Sequence, residues 1–322
     1  MKLDLTICIP TYNRPDLLSE CIDSVVASIN YSSSDVKIII SDNCSDVSYQ
    51  HVINNKLKIF KNIKYYRNKT NVTDLNFYLC VERAKTKYIW IFSDDDLMEI
   101  NAIKKLEESL DLKDNLVVCN YSLYDFHITK CLQRNLIDLN FSNSYTDYNK
   151  VMEDFGFRLS FISCIIFKRN EFLMLPKDTY LSYTEHQFPF LLTIYFMLLN
   201  NCNLRFIKND IVVQRAFKNH GEQDWWYRIF VVGSNKVFHY LKNIGYAKLS
   251  IRKAKNKIIQ NYIIPDVIYR RLNELDFRNK SILLIKNYYN YPISVFVLLL
   301  ISNIPIFLLR LIYKFYKNCQ KK

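Results

Sequence analysis

Glycine is almost missing from this chain. Four occur in 322 residues, Gly156, Gly221, Gly233 and Gly245, and none lies in the first 155 positions. The glycine-rich phosphate loop and the dinucleotide-binding fingerprint both need glycine where backbone closes on a phosphate, so neither is open to the N-terminal half. Paired cysteines are missing too: the nine cysteines form no CxxC and are odd in number. Most sit in apolar runs such as TICIP and FISCIIF, where a free thiol packs as a small hydrophobe. This argues against a disulfide framework or a zinc site, and a reducing compartment is expected. The chain opens with no basic-then-apolar leader, and the sequon Asn71-Val72-Thr73 is expected to be incidental. No linker rich in Gly, Pro or Ser, no repeat and no low-complexity tract divides the sequence.

What is present suffices for a folded protein. Half of the residues are apolar, 15% are aromatic and 23% are charged. That balance excludes a disordered chain and lets one large domain or two modest ones bury a core without staples. The formal charge of +13 is uneven. Residues 225–322 hold 18 Lys and Arg against Asp266, Glu274 and Asp276, whereas residues 1–224 carry 26 basic and 28 acidic groups. The shift sets an expected boundary between a near-neutral body at 1–224 and a basic helical region at 225–322. Such asymmetry points to an anionic partner surface, either nucleic acid or lipid headgroups. The basic region also contains an apolar segment, 291–313, whose first 19 residues are uncharged. That favours a membrane surface and argues against nucleic acid. About 20 apolar residues span a bilayer, and Pro305 interrupts this run between basic flanks. A kinked, re-entrant or interfacial helix on the cytoplasmic leaflet is expected, with a buried core helix or a dimer seam as the alternative.

Strand and helix patterns alternate through the first 120 residues. Strands are expected at 3–9 (stopped by Pro10), 36–40, 63–66, 88–92 and 116–119, and helices at 15–27, 49–57, 74–84 and 100–110. The rhythm predicts an open, mostly parallel α/β sheet flanked by helices, with ligands beyond the carboxyl ends of the strands. Pro10, Asp42, Arg67 and Asp94 all fall at that edge. Farther on, the pattern predicts a strand at 160–167, an apolar helix at 185–199, a strand at 205–213 and a basic helical stretch over 225–262.

The sharpest chemical feature follows YIWIF at 88–92. Asp94, Asp95 and Asp96 crowd three like charges at a strand end, a cost that a divalent cation removes. Hard carboxylate oxygens suit Mg²⁺ or Mn²⁺ bridging to substrate phosphates; the alternative is a solvated acidic loop. Asp42 offers a carboxylate to a nucleobase or ribose, or serves as an ordinary turn residue. Arg67 is placed to reach a diphosphate oxygen, or to remain a surface charge. The aromatic cluster Trp225-Trp226-Tyr227 fits sugar stacking, a membrane interface or simple packing.

At these residues a family resemblance emerges. ICIPTYNR at 7–14 resembles the opening of family 2 glycosyltransferases of the GT-A fold, and IIISDNCSD at 38–46 and YIWIFSDDD at 88–96 resemble its next motifs in order and spacing. The resemblance covers roughly residues 1–120. It implies that Pro10, Thr11 and Asp42 contact the base and ribose, with Tyr12 and Arg14 of the same motif on the nucleotide. It further implies that Asp94 and Asp96 hold Mg²⁺ or Mn²⁺ on the sugar-nucleotide diphosphate, with Asp95 nearby. One departure is Asn71-Val72-Thr73, where the family often has Asn-x-Gly. The later portion is similar to the O-antigen sugar transferases of the abequosyltransferase type, on SFISCIIFKR at 160–169 and loosely on Gln214-Arg215 through Asn219.

By the same resemblance, an acidic residue opening a helix past the sheet deprotonates the acceptor hydroxyl. Glu185 has that position, with Asp178 or Asp154 as substitutes, and its alternative is a carboxylate that merely favours a helix start. His220 is a candidate further metal ligand or an ordinary polar residue. The expected function is transfer of a sugar from a nucleoside-diphosphate sugar to a hydroxyl of a polyprenyl-diphosphate-linked glycan, in surface polysaccharide or O-antigen synthesis, on the cytoplasmic face of a bacterial inner membrane. Two alternatives stand beside it. A sugar-phosphate nucleotidyltransferase needs a glycine-rich basic loop after the first strand, which Pro10 to Arg14 does not supply. A non-catalytic membrane scaffold predicts no nucleotide binding.

Overall fold

The computed structural model describes residues 3–184, 188–216, 228–273 and 292–319. Among these, ten strands form one sheet: β1 (Leu5–Thr11), β2 (Lys37–Asp42), β3 (Ile63–Arg67), β4 (Tyr88–Ile91), β5 (Leu97–Met98), β6 (Leu116–Tyr124), β7 (Cys131–Gln133), β8 (Ser144–Tyr145), β9 (Ile165–Lys168) and β10 (Leu204–Arg215). Their order is β3-β2-β1-β4-β9-β6-β10-β5, with β7 paired to β6 and β8 to β10. The first four strands are parallel, as the alternation predicts. Beyond β4 the sheet is mixed, because β9 runs antiparallel to both β4 and β6 while β10 is parallel to β6.

Local sequence explains the elements that frame the parallel half. Helix α1 (Pro15–Ser32) starts with proline at its first turn, where a missing N–H costs nothing. Leu18, Cys21, Ile22, Val25, Val26 and Ile29 recur at helical spacing and are all buried. It ends where Ser33 turns left-handed, at φ 58°. Helices α2 (Gln50–Ile59), α3 (Leu75–Arg83) and α4 (Ala102–Ser109) return the chain between strands. Then follow α5 (Tyr148–Asp154), α6 (Arg169–Phe172), α7 (Lys177–Leu181) and the almost wholly apolar α8 (Pro189–Asn200).

Three expectations need correction. Pro10 does not stop the first strand, which continues through it to Thr11. Cys8 directs its carbonyl to β4, accepting from Phe92 N–H at 2.8 Å, so Pro10 also faces β4. Pairing with β4 ends at Cys8 opposite Ile91, leaving no ladder bond for proline to break. The strand expected at 160–167 is short: two 3₁₀ turns cover Gly156–Ser160 and Ile162–Cys164, and only Ile165–Lys168 is extended. The stretch expected over 225–262 is interrupted at Gly245, whose φ of 130° suits glycine.

The chain divides into two compact units, Met1–His220 and Gly221–Lys322. Within the second, a π-helical turn at Arg228–Gly233 leads into α9 (Ser234–Ile244) and α10 (Lys248–Ile258). A second π-helical turn, Ile259–Ile263, precedes α11 (Ile264–Leu272), which holds Pro265 in its first turn. Widening the helix there accommodates the proline ring and its missing donor. Helices α12 (Pro292–Asn303) and α13 (Ile306–Cys319) follow. No single described helix is long and apolar enough to cross a membrane; Phe296–Asn303 and Ile306–Lys314 meet that measure only together, bent by 112° at their break.

Candidate active site

The parallel register brings three chain positions to one edge. Thr11 ends β1 opposite Asp42 at the end of β2, and Asp42 lies opposite Arg67 at the end of β3. Asp42 is fully buried. Its Oδ1 accepts Ser45 N–H at 2.9 Å and its Oδ2 accepts the Tyr65 hydroxyl at 2.6 Å. Arg67 stands 3.4 Å from Oδ2 and also donates to the Ser45 carbonyl at 2.9 Å. In this arrangement Asp42 fastens the loop after β2. Burial, and then the hydrogen bond to Asp42, push the Tyr65 hydroxyl above its ordinary range.

Beneath that loop lies an amide network that the sequence reading did not find. Asn43 Oδ1 accepts from Asn68 at 3.1 Å and from Val72 N–H at 2.9 Å, while its amide donates to Asn71 at 2.8 Å. Asn76 accepts from Ser41 and Asn68 and donates to the Ser41 carbonyl. Arg83 closes the network on Ser41 and Asn68 and stacks over Tyr66. The recurrent asparagines at 43, 68, 71 and 76 were its only sequence signal.

The acidic trio follows β4. Asp94 and Asp96 are buried, at 4% and 2% exposure. Every carboxylate oxygen of the trio already has a donor. Asp94 accepts from Thr11 Oγ1 at 2.7 Å and Arg14 Nη1 at 3.2 Å. Asp95 accepts from Ser93 Oγ at 2.5 Å and the same Arg14 nitrogen at 2.9 Å. Asp96 accepts from Ser163 Oγ at 2.6 Å and Arg215 N–H at 3.2 Å. The crowded charges are therefore accommodated by protein groups, where the sequence suggests a cation or a solvated acidic loop. Burial nevertheless pushes Asp94 up to about 6, against the opposing pull of Arg14. Burial, and next Asp95, raise Asp96 well above the ordinary carboxylate range.

Two residues that carry this loop were missed or only loosely marked. Ser163 bonds Asp96, accepts Ser93 N–H at 2.9 Å, and presents its carbonyl to Trp90 Nε1 at 2.8 Å. Those three bonds account for the turn that shortens the strand expected there. Arg215, at the end of β10, has a side chain only 5% exposed. It donates to the carbonyls of Asp95 and Phe126 at 2.9 and 2.6 Å and pairs with Glu20 at 2.6 Å.

A cleft of about 310 Å³ opens beside these groups, lined among others by Pro10, Thr11, Tyr12, Arg14, Asn43, Thr73, Asn76 and Asp94. Asp42, Arg67, Asp95 and Asp96 are not among the residues that line it. Asp154, a substitute base in the sequence reading, accepts instead from Tyr145 at 3.0 Å and Lys150 at 3.0 Å. Asp178 lies in the first turn of α7. Glu185, His220 and Trp225 to Tyr227 lie outside the described residues.

No described cluster of three or more His, Cys, Asp or Glu forms a ready-made metal cage. Mg²⁺ and Mn²⁺ do not require one, since they take one or two carboxylates and complete their shell with water and phosphate. Each ionised carboxylate also keeps lone pairs beyond those its protein donors use. A guanidinium already rests on Asp94 and Asp95, so this corner accepts positive charge. The donor set fits a hard divalent cation.

Three comparisons bear on this geometry. A match to the family described as Glycosyl transferase family 2 covers residues 6–171. The chain is 32% identical over 122 residues to the abequosyltransferase RfbV of Salmonella typhimurium, a stretch that is 36% of this chain and 35% of the relative. The match thus spans about a third of that protein's length. Among solved structures, S. aureus TarS 1–349 superposes with a TM-score of 0.60 at 10% identity, covering 91% of this chain and 81% of the other. The Pyrobaculum calidifontis mannosyltransferase PcManGT, solved with GDP-Man and Mn²⁺, gives 0.55 at 13%, covering 95% and 88%. At such identities the likeness is one of fold.

Proposed function

The chain belongs to glycosyl transferase family 2 and has its GT-A fold, and from that premise we propose that it transfers a sugar from a nucleoside-diphosphate sugar to an acceptor hydroxyl. The observation that carries the reading is the acidic trio at the carboxyl end of β4, with Asp94 and Asp96 buried, joined by Thr11 and Arg14 to the cleft where β1 and β2 also end. Ligands of open α/β sheets bind at that edge.

In the proposed reaction Pro10, Thr11 and Tyr12 line the nucleotide's site, and the loop fastened by Asp42 and Arg67 shapes its floor. Asp94 and Asp96 hold Mg²⁺ or Mn²⁺. When bound, such a cation offsets negative charge that grows on the departing nucleoside diphosphate. Ser163 and Arg215 keep Asp96 aimed. Glu185 is the proposed base that takes the acceptor's proton as its oxygen attacks the anomeric carbon.

The acceptor is proposed to be a polyprenyl-diphosphate-linked glycan in O-antigen or related surface polysaccharide synthesis, on the cytoplasmic face of a bacterial inner membrane. The partial match to an abequosyltransferase supports the polysaccharide class. Basic residues beside exposed Phe296, Phe307, Leu311 and Ile312 support a membrane surface as partner. Asp94→Ala and Asp96→Ala should each lower transfer to a lipid-linked acceptor at least a hundredfold, the order of one lost electrostatic stabiliser, and abolish Mn²⁺-dependent nucleotide heat in calorimetry. Folded variants that keep full transfer would refute the metal role. Absence of nucleotide binding by the unaltered chain would favour a scaffold.

A further inference from the structure

We infer that Arg14 is an exchange residue: it neutralises Asp94 and Asp95 in the nucleotide-free chain and releases them as its guanidinium turns to the diphosphate of the arriving nucleotide. The inference rests on the proposed reading of Asp94 and Asp96 as cation ligands.

The backbone of Arg14 is anchored, while its side chain is nearly half exposed. Its N–H donates to the Tyr49 hydroxyl at 2.8 Å, and its carbonyl accepts Leu18 N–H at 3.0 Å. The preceding Asn13 is held left-handed at φ 55° by bonds to Ser45 and to Asp46. The side chain beyond this anchor is 46% exposed and lines the cleft.

Its contact with the carboxylates is of a releasable kind. A single nitrogen, Nη1, serves both Asp94 Oδ1 at 3.2 Å and Asp95 Oδ2 at 2.9 Å. The stronger arrangement, two parallel bonds from the guanidinium fork to one partner, is not made. Arg215 gives the contrast: nearly buried, with its three side-chain nitrogens each on a different partner, it is built to stay. Of the two arginines at this loop, one is a fixture and the other can leave.

A cation arriving at Asp94 competes with Arg14 for the same negative charge. The guanidinium uses the oxygen that faces it, and a single charge beside a double charge on one carboxylate is repulsive at any realistic dielectric. A diphosphate in the same cleft offers non-bridging oxygens that suit the unused fork. The charge then needs no replacement from solvent: the cation takes the carboxylates as Arg14 takes the phosphates. Nucleotide and cation consequently bind with positive coupling, each favouring the state in which Arg14 has turned.

The test is Mn²⁺ titration of the full chain followed by electron paramagnetic resonance of the free ion, for the unaltered protein, Arg14→Gln and Arg14→Lys. Each is titrated alone and with UDP, GDP, CDP or dTDP. Without nucleotide, R14Q should bind Mn²⁺ about tenfold tighter than the unaltered chain. A matching nucleotide should raise Mn²⁺ affinity about tenfold or more in the unaltered chain and clearly less in R14Q, where only the ion's own bonds to the phosphates remain as coupling. R14K keeps the charge without the fork, so it should bind Mn²⁺ alone as weakly as the parent and lose only the part of the coupling that the fork supplies; it provides the comparison should glutamine disturb the loop. Equal or weaker Mn²⁺ binding by nucleotide-free R14Q, with the parent binding Mn²⁺ and nucleotide together, overturns the exchange and leaves the cation site standing. No bound Mn²⁺ in any arm overturns the cation reading and the exchange with it.

Discussion

Asp94 joins two demands that oppose each other. Its burial keeps the carboxyl protonated up to about 6, above the ordinary 3.8. A folded-state value above the unfolded one means that the folded chain binds more protons between those two values. Stability linked to Asp94 is therefore fully present below pH 3.8, declines as pH rises through 6, and is lost above that. In EDTA, the urea midpoint of the unaltered chain should fall across that window. Asp94→Asn should flatten part of the fall and gain on the order of 2 kcal/mol at pH 7, even though it removes a proposed cation ligand. A urea midpoint for the Asp94→Asn variant at or below that of the parent at pH 7 would contradict this account. Thr73 pays a smaller local strain. It holds φ 49°, unfavourable for a β-branched side chain, at the position where the resembling motif usually has glycine. At this departure the chain thus holds a positive φ without a glycine.

The elements that were legible early are those whose pattern is local. Helix α1 is marked by Pro15 and an apolar stripe, and β1, β2 and β4 by unbroken apolar runs, so the edge bearing Pro10, Asp42, Arg67 and Asp94 is legible in the sequence alone. Elements whose meaning is non-local were not legible. Ser163 and Arg215 meet the acidic loop from 67 and 119 positions away, and no spacing rule announces such bonds. Strands β5, β7 and β8 have two or three residues each, too few to show a period. The bulged register of β10 between Ile207 and Val212 sets where Arg215 falls at the end of that strand. Arg215→Lys tests that delivery. A single ammonium cannot span Asp95, Phe126 and Glu20 together, so the loop should loosen. Transfer rate should drop about tenfold to a hundredfold, matching about 1.5–3 kcal/mol for lost charge-assisted bonds, with KM for the donor changed less than kcat. An unchanged rate would reduce Arg215 to a purely structural bond.

Across the molecule, charge is segregated by unit. The first unit holds the cleft, and the excess of positive charge belongs almost wholly to residues 225–322. Within the second unit, Leu298 and Leu309 are buried, whereas Phe296, Leu300, Phe307, Leu311 and Ile312 are all more than half exposed. Arg271 fixes the α11–α12 pairing by donating to the Ile301 carbonyl at 2.6 Å, so the outward apolar surface is not an accident of an unpacked helix. A bend of 112° next to Pro305 suits a helix pair lying in a headgroup layer, where apolar side chains enter the acyl boundary and lysines meet anionic lipid. The full chain should then sediment with vesicles containing phosphatidylglycerol and do so less well in high salt, as screened charge requires. Phe307→Asp with Leu311→Asp, or deletion of residues 287–322, should leave the protein in the supernatant with its nucleotide binding intact. Each aspartate puts a charge where apolar contact is expected, so the partition coefficient should fall at least about tenfold. Sedimentation of the truncated chain at high salt would move the membrane contact elsewhere in the molecule and leave these exposed side chains to a protein partner.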